Sequence, residues 1–349
     1  MPAPNTIIST HIIRQLEYEI CDWESDDIYI LTDTNTREKC LPLLFESEKI
    51  RKGHQITVQA GDAQKNIDSL QQIWRYLTEN GATRKSLMIN VGGGMITDMG
   101  GFAAATFKRG IDYINVSTTL LGAVDAATGG KTGINFLGLK NEIGAFYPAK
   151  KVLINVEFFR TLDDKNLRSG YAEMIKHALI SSRKDLNDVL EIDLGNIDFE
   201  KLNNLLIRNI EIKENIVAAD PREQNLRKAL NLGHTFAHAL ESLSYKTDNP
   251  VLHGYAVAWG MICELYLSHI KTGFPKDELM KMKYFIRENY GTYDCGCTDY
   301  SEILELMKHD KKNENREINF TLLAGVGEVK INQTATNEEI KESLDFLAY

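Results

Sequence analysis

Short apolar runs alternate with amphipathic stretches along the first half of the chain. The runs are rich in β-branched residues and lie at 28–33 (IYILTD), 55–60 (QITVQA), 86–91 (SLMINV) and 113–118 (YINVST). Between the second and third runs, residues 68–80 (DSLQQIWRYLTEN) have the three- and four-residue apolar spacing of a helix. Strands that alternate with helices predict βαβ units and a parallel sheet, whose ligands bind at the carboxyl ends of the strands.

The pattern changes after residues 152–156 (VLINV). Apolar residues then recur at helical spacing in one segment after another, at 169–182, 199–220, 227–243 and 253–270. A late β-rich piece, residues 317–332 (EINFTLLAGVGEVKIN), predicts a hairpin added to these helices. We therefore expect two domains, residues 1–160 and 161–349, with the boundary near 155–165 and a site in the cleft between them.

The composition narrows the classes of protein. The chain has 349 residues, of which 43% are hydrophobic and 26% are charged, as in an ordinary globular protein. A formal net charge of −9 argues against nucleic acid or an anionic membrane as a partner. Five scattered cysteines predict no disulfide framework. We see neither a signal peptide nor a run of 18 apolar residues, so the expected compartment is the cytoplasm.

Three consecutive glycines, Gly92 to Gly94, follow the third apolar run and precede a helix-like segment, MITDMGGFAAAT. Glycine lets a ligand approach the backbone, and the N–H groups at a helix start suit a pyrophosphate. The pattern is not G-x-G-x-x-G, and a structural turn is the alternative. Asp33 ends the first run and Asn35 comes just after it, where an acid could accept from a ribose hydroxyl or cap a helix.

A glutamate and three histidines are the candidates for a metal site. His234 and His238 are four residues apart in GHTFAH and would share a helix face, and His253 opens another helix. Glu173 lies in GYAEMIKH. Two histidines and a glutamate can bind a catalytic zinc and leave one position open, whereas core or capping histidines are the alternative. HTFAH is not H-E-x-x-H, so metalloprotease chemistry is disfavoured.

Basic residues accompany these candidates. The segment DAATGGKTGINFLGLKNEIG predicts a glycine-rich loop that contains Lys131, Lys140 and Asn141. Lys176, Lys213 and Arg227 are predicted to lie on helices of the second half. Most lysines are solvated, but this placement favours a pocket for an anion.

Several long segments together resemble one enzyme family. They are GGGMITDMGGFAAATFKRG, STTLLGAVDAATGGKTGIN, LKNEIGAFYPAKKVL, LRSGYAEMIKHALI, LRKALNLGHTFAHALE and LHGYAVAWGM, and in this order they resemble 3-dehydroquinate synthase over residues 28 to 325. The resemblance implies an α/β dinucleotide-binding domain with a Rossmann-like parallel sheet, followed by a mainly α-helical domain for metal and substrate.

The resemblance also implies cofactors and residue roles. By motif match, Glu173, His234 and His253 would bind Zn²⁺ (or Co²⁺). The residues that contact NAD would be Asp33, Asn35, Asp62, Lys65, Gly92, Gly93, Gly94, Asp98, Thr118, Thr119, Asp125, Lys131 and Lys140. The substrate and catalytic positions would be Asp125, Lys131, Asn141, Lys176, Lys213, Arg227, Asn231, His238 and Lys311, with Lys312 as an alternative to the last. Arg109 would reach the phosphate in a neighbouring subunit's site, which implies a homodimer.

The implied reaction converts 3-deoxy-D-arabino-heptulosonate 7-phosphate to 3-dehydroquinate and phosphate. It proceeds by transient oxidation with NAD, β-elimination of phosphate, re-reduction and intramolecular aldol closure, in the shikimate pathway to aromatic amino acids.

Two positions depart from the family pattern. Tyr255 stands where the family usually has a glutamate in HGEAVA, and the usual D-G-E-x-x-K segment reads GDAQK at residues 61–65.

Three rival functions are compatible with parts of this pattern. Another sugar-phosphate cyclase would share the fold, NAD and metal but close a different ring, and the full set of lysines, arginine and asparagine argues against it. A metal-dependent polyol dehydrogenase would give net redox change and would not need so many groups for a phosphate. A non-catalytic nucleotide-binding protein would be expected to have lost part of the metal set, of which all three members are present.

Overall fold

The first half of the chain folds around a parallel β-sheet. The computed structural model describes residues 6–127, 129–137, 139–247, 250–308 and 318–349, and the chain divides into the units Met1–Asp163 and Asp164–Tyr349. The strands of the first unit are β1 (Thr6–Ile8), β2 (Ile28–Asp33), β3 (His54–Val58), β4 (Leu87–Gly92), β5 (Asp112–Ser117), β6 (Lys131–Phe136), β7 (Leu139–Phe146) and β8 (Lys151–Ile154). Its helices are α1 (Ile12–Glu19), α2 (Thr34–Lys39), α3 (Glu48–Lys52), α4 (Ile67–Glu79) and α5 (Gly94–Thr106).

The sheet has the strand order β1-β8-β5-β4-β2-β3, and its strands pair in parallel. Strands β2 and β4 are buried at every position, as expected for a parallel sheet covered on both faces. The chain runs from β2 outward to β3 and then returns to β4, so the strand order reverses between β2 and β4. Ligands of such sheets bind beyond the carboxyl ends of the strands at this reversal. The prediction of a parallel α/β sheet is confirmed.

Strands β6 and β7 form a separate antiparallel pair. The predicted glycine-rich loop is therefore wrong, because Lys131 opens β6 whereas Lys140 and Asn141 lie in β7. The glycines serve the pairing: Gly133 lies opposite Gly144, and a Cβ on Gly144 would lie 2.1 Å from the Thr132 carbonyl oxygen. Small residues there let the two backbones approach closely. Glycines are equally common in turns, so the sequence pattern did not distinguish paired strands from a loop.

The second unit is mainly helical. Its helices are α6 (Asp164–Ser181), α7 (Arg183–Leu190), α8 (Phe199–Ala219), α9 (His234–Ser244), α10 (His253–Thr272), α11 (Lys276–Tyr290), α12 (Tyr300–Lys308) and α13 (Asn337–Ala348). Strands β9 (Phe320–Gly325) and β10 (Glu328–Gln333) pair antiparallel, which confirms the predicted hairpin. Helix α10 is buried along most of its length and packs against α6, α9, α11 and α13. In the described part of the chain, no helix is both long and apolar enough to cross a membrane.

One predicted helical segment, residues 227–243, is interrupted. Leu226–Asn231 forms a 3₁₀ turn, so Arg227 lies on that turn and not on an α-helix. Gly233 then takes a left-handed conformation (φ +82°), and α9 begins only at His234. Glycine adopts this conformation without strain, whereas other residues rarely do. The interruption therefore makes His234 the first residue of its helix.

Candidate active site

Three helices bring a carboxylate and two imidazoles together in the second unit. Glu173 lies in the middle of α6, and His234 and His253 are the first residues of α9 and α10. His234 Nε2 lies 3.5 Å and His253 Nε2 lies 3.6 Å from the same Glu173 Oε1. One donor atom from each residue lies within 4.8 Å of the other two. This spacing suits one ion bound by all three side chains.

The state of Glu173 fits a cation at this point. Its carboxylate is fully buried, and neither oxygen has a hydrogen bond of good geometry from the described residues. Lys176 Nζ forms an ion pair with Oε2. Burial alone would raise the pKa of Glu173, but the charges of Lys176 and the two histidines hold it well below its ordinary value. An ionised carboxylate with two imidazoles is a donor set typical of catalytic zinc.

Each candidate ligand histidine is oriented through its second ring nitrogen. His234 Nδ1 lies 3.2 Å from the Leu232 carbonyl oxygen, and His253 Nδ1 lies 3.2 Å from Glu241 Oε2. A carbonyl or carboxylate oxygen can only accept, so both Nδ1 atoms carry the hydrogen and a neutral ring has its lone pair on Nε2. Burial opposes a charge on His253, yet Glu241 and Glu173 raise its pKa to about 10.

Two buried glutamates near the site were missed in the sequence. Glu241 lies seven residues after His234 in HTFAHALE, a spacing that puts both on one helix face and could have revealed it. Glu264 is fully buried on α10, and its carboxylate accepts from the N–H groups of Gly233 (2.8 Å) and Thr235 (3.2 Å). It therefore holds the start of α9 in place. A single acid within the apolar segment 253–270 was the available signal, because a buried charge needs partners.

Buried cations accompany the metal-ligand set. Lys176, Lys213 and Arg227 are 1%, 3% and 4% exposed. The His238 ring lies 5.6 Å from the His234 ring and 6.2 Å from the His253 ring, between centroids. Buried lysines are uncommon, and buried cations are the groups with which proteins bind carboxylates and phosphates. This part of the second unit is suited to bind an anion.

His177 is one turn from Glu173 but is not part of the ligand set. Its Nδ1 lies 2.7 Å from Asn209 Oδ1, and Asn209 Nδ2 donates to the Met174 carbonyl oxygen at 3.0 Å. Burial and the charges of Lys176 and Lys213 lower the pKa of His177 to about 3. A neutral histidine held in this way has a structural role rather than a metal-binding one.

Arg227 and Asn231 are anchored by the loop that precedes them. Arg227 Nη1 donates to the Pro221 carbonyl oxygen, and Asn231 Nδ2 donates to Glu223 Oε1, each at 2.8 Å. Glu223 has a left-handed backbone conformation (φ +58°). Lys311 and its alternative Lys312 lie outside the described residues.

In the first unit, the three glycines lie where β4 ends and α5 begins. Gly92 ends the strand, Gly93 is the residue before the helix, and no side chain caps the helix. A Cβ on Gly93 would lie 2.8 Å from Thr119 Cγ2, so this position has no room for a side chain. Thr118, which follows β5, donates its N–H to the Gly92 carbonyl oxygen at 3.0 Å. The bare helix start is a suitable site for a phosphate group.

Asp33 ends β2 at the same edge of the sheet. Its Oδ1 accepts from the N–H groups of Asn35 and Thr36, both at 2.8 Å, in a capping box. The helix-cap alternative is thus what the structure shows for Asp33. Asn35 is exposed on α2.

Other predicted residues of the first unit form a polar network. Lys65 is buried and donates to Asp98 Oδ2 at 2.6 Å and to Asn141 Oδ1. Lys140 Nζ lies 3.4 Å from Asp62 Oδ2. Asp125 lies in a single π-helical turn, Gly122–Ala126, and Lys131 is exposed at the start of β6.

Arg109 is exposed at a strained turn. It has φ +69° and follows Lys108 with φ +48°, just after α5. Both side chains line an open depression with Arg84, Thr83 and Thr106. The depression is rich in positive charge.

Comparison with known proteins identifies close relatives. Family models for the N-terminal and C-terminal parts of 3-dehydroquinate synthase match residues 55–169 and 170–313. The chain is 54% identical to a 3-dehydroquinate synthase from Parabacteroides distasonis, over 96% of each chain. It is 36% identical to the 3-dehydroquinate synthase from Campylobacter jejuni, over 94% of each chain.

Solved structures with the same fold are more distant in sequence. One is 2-deoxy-scyllo-inosose synthase complexed with carbaglucose-6-phosphate, NAD⁺ and Co²⁺ (TM-score 0.83, 23% identity, 97% of this chain and 95% of that chain). Another is 2-epi-5-epi-valiolone synthase from Streptomyces hygroscopicus with NAD⁺ and Zn²⁺ bound (TM-score 0.84, 22% identity, 99% and 97%). At these identities the likeness concerns the fold alone.

Proposed function

The chain belongs to the 3-dehydroquinate synthase family, and we propose that it converts 3-deoxy-D-arabino-heptulosonate 7-phosphate to 3-dehydroquinate and phosphate. The family predicted from the sequence motifs is thereby confirmed. The observation that carries the proposal is the buried set of Glu173, His234 and His253 beside the cation of Lys176. A metal site next to buried positive charge suits a substrate that has both an oxygen to polarise and a phosphate to bind.

In this proposal Glu173, His234 and His253 hold Zn²⁺ or Co²⁺ in the unit Asp164–Tyr349. A metal held there would supply polarisation of the substrate's C5 hydroxyl oxygen, and bound NAD would supply a reversible acceptor for the hydride of that carbon. Relatives by fold with NAD⁺ and a divalent metal support this choice of cofactors. In this proposal the chain would hold the metal through an ionised Glu173 and through Nε2 of His234 and His253, whose Nδ1 atoms contact Leu232 and Glu241.

The unit Met1–Asp163 binds NAD in this proposal. Gly93 and Gly94 present backbone N–H groups to the pyrophosphate at the start of α5, where a Cβ on Gly93 would meet Thr119. Thr118 and Thr119 are further proposed contacts. The other proposed contacts are Gly92, Asp33, Asn35, Asp62, Lys65, Asp98, Asp125, Lys131 and Lys140. Asp33 uses one carboxylate oxygen to cap α2, so any contact with a ribose hydroxyl is made by its other oxygen.

The substrate is bound mainly by cations. Lys176, Lys213 and Arg227 neutralise its carboxylate and phosphate, and they stabilise the charge that develops as phosphate leaves. Asn231 and His238 would orient its hydroxyl groups. Asp125, Lys131, Asn141 and Lys311 complete the proposed set of substrate and catalytic residues. Because the electron pair of the breaking C–O bond passes to the bridging phosphate oxygen, positive side chains at the phosphate favour the transition state of elimination over the bound substrate.

The enzyme is a homodimer in this proposal, and Arg109 contributes to the phosphate site of its partner. The exposed, positively charged depression that contains Arg109 supports this assignment. Mixing Arg109→Ala with His234→Ala subunits should restore part of the activity, since some hybrid dimers have one intact site. Subunit exchange without recovery would show that Arg109 acts within its own chain.

The compartment in this proposal is the cytoplasm, in keeping with the free thiols of all five cysteines.

The test of the reaction is a product balance with the zinc- and NAD-loaded protein. Phosphate and 3-dehydroquinate should appear in equal amounts with no net NADH, whereas His234→Ala should release no phosphate. NADH accumulation without phosphate release would indicate a polyol dehydrogenase. Phosphate release with a different carbocycle would indicate another cyclase, and no turnover with both cofactors bound would indicate a non-catalytic protein.

A further inference from the structure

Glu241 lies behind the ring of a candidate metal ligand. It is on α9, is 3% exposed, and its Oε2 lies 3.2 Å from His253 Nδ1. The other nitrogen of the same ring, Nε2, faces Glu173 Oε1 at 3.6 Å. Since the two ring nitrogens point in diverging directions, Glu241 contacts the side of His253 that is turned away from the metal-ligand set.

The two histidines have different partners in this respect. His234 Nδ1 faces the neutral carbonyl group of Leu232, whereas His253 Nδ1 faces a carboxylate. A hydrogen bond to an ionised acceptor is stronger than one to a neutral carbonyl group, and it gives the ring more electron density. Glu241 therefore holds the His253 ring by a stronger hydrogen bond than Leu232 provides for His234.

We propose that Glu241 is a positioning residue of the metal centre, which fixes the Nε2-coordinating tautomer and the orientation of His253 and thereby raises metal affinity. The inference rests on the proposed function, because it takes Glu173, His234 and His253 as the ligands. Carboxylate–histidine–metal arrangements of this type commonly change metal affinity by about 10–100-fold when the carboxylate is lost.

The arrangement of the helices makes the contact possible. Glu241 is two turns along α9 from His234, on the same face of the helix, and His253 opens the neighbouring α10. One helix thus supplies both a ligand and the support for the ligand of the next helix. Any shift between α9 and α10 would disturb both at once.

Glu241 has a second hydrogen-bond partner, which offers a control that distinguishes the positioning of His253 from a packing role. Tyr245 Oη lies 3.4 Å from Glu241 Oε1, the other carboxylate oxygen, and the Tyr245 side chain is exposed. Tyr245→Phe removes that hydroxyl but leaves the Glu241–His253 pair intact. It is the matched control for a purely structural role of the carboxylate.

The test is competition for Zn²⁺ against a chromogenic chelator, with wild type, Glu241→Ala, Glu241→Gln and Tyr245→Phe. We expect Glu241→Ala to lose about 10–100-fold in zinc affinity and Glu241→Gln to lose less, because an amide oxygen can still accept from Nδ1. Tyr245→Phe should bind zinc as wild type does. Circular dichroism and urea unfolding will show whether each variant keeps its fold.

A second readout keeps the test decisive if Glu241→Ala does not fold. In zinc-loaded wild type, ¹⁵N NMR should show His253 with a slowly exchanging Nδ1–H, and Glu241→Gln should exchange that proton faster. Unchanged zinc affinity and exchange in folded Glu241 variants would overturn the inference. A wild-type protein that binds no zinc would instead overturn the metal assignment in the proposed function.

Discussion

Helix α10 approaches the two other ligand-bearing helices at glycines, and enlarging one of them should damage the metal centre. A Cβ on Gly260 would lie 2.0 Å from the Gly233 carbonyl oxygen, next to His234 at the start of α9. A Cβ on Gly254 would lie 1.9 Å from the Ser169 carbonyl oxygen on α6, the helix of Glu173. Carbon and carbonyl oxygen normally stay roughly 3.3 Å apart or more, so each contact lacks about 1 Å of space.

Gly260→Ala should therefore push α9 away from α10 by about 1 Å. Overpacking of this type costs about 1–3 kcal/mol, and the higher helix propensity of alanine returns up to about 1 kcal/mol. We expect a net loss of about 1–2 kcal/mol in the free energy of unfolding. Metal–ligand distances tolerate only about 0.2 Å, so zinc affinity should also fall about 10-fold or more.

Urea unfolding of the zinc-free protein measures the loss of unfolding free energy, and chelator competition measures the loss of zinc affinity. Gly296→Ala is the matched control, because that glycine is exposed and a Cβ there would meet only Thr298 Oγ1, at 3.6 Å. It should unfold and bind zinc as wild type does. If Gly260→Ala is as stable as wild type with the same zinc affinity, then close backbone approach at α10 does not position the ligands.

Other substitutions test the remaining assignments. Lys213→Ala should keep fold, zinc and NAD but lose ~30-fold or more in kcat/KM, because substrate charge is left unpaired, whereas Lys184→Ala on the exposed surface should have no effect. Asp185→Ala should lower the free energy of unfolding by about 1–3 kcal/mol at neutral pH, because two serine hydroxyls and an arginine donate to the Asp185 carboxylate. The control Asp188→Ala removes only an exposed ion pair and should cost little. These partners outweigh burial and lower the pKa of Asp185 to about 2, so urea midpoints should show its contribution in full above its ordinary pKa and progressively less as pH falls toward 2. Gly93→Ala should weaken NAD binding about 10-fold or more in calorimetric titration, because the new Cβ would lie 2.8 Å from Thr119 Cγ2. Zinc affinity should be unchanged. If NAD affinity is also unchanged, the pyrophosphate binds elsewhere.

Much of the fold followed from local pattern. Apolar runs of strand length, separated by amphipathic helices, are sufficient for a parallel sheet, because burial of both sheet faces leaves few other arrangements. The strand at Ile28–Asp33 has the predicted bounds, and helices α8 and α10 end within two residues of the predicted segments 199–220 and 253–270. The order of the motifs was also sufficient to identify the family.

Other features needed the packed chain. The pairing of Gly133 with Gly144 turned a predicted loop into two strands, because glycine is compatible with a turn and with close backbone contact alike. The break at Gly233 depended on a left-handed backbone beside α10, which apolar spacing does not encode.

The sequence by itself supplied the chemical types at the candidate site, since glutamate, histidine and lysine residues fell within its recognisable motifs. Only the tertiary structure decided which atoms meet. It placed Nε2 of His234 and of His253 near the same oxygen of Glu173, and it placed the Glu241 carboxylate next to Nδ1 of His253. Residues 12 to 80 positions apart come together because three buried helices pack at glycines, and such distances between helices are set by packing across the whole core rather than by neighbours in sequence.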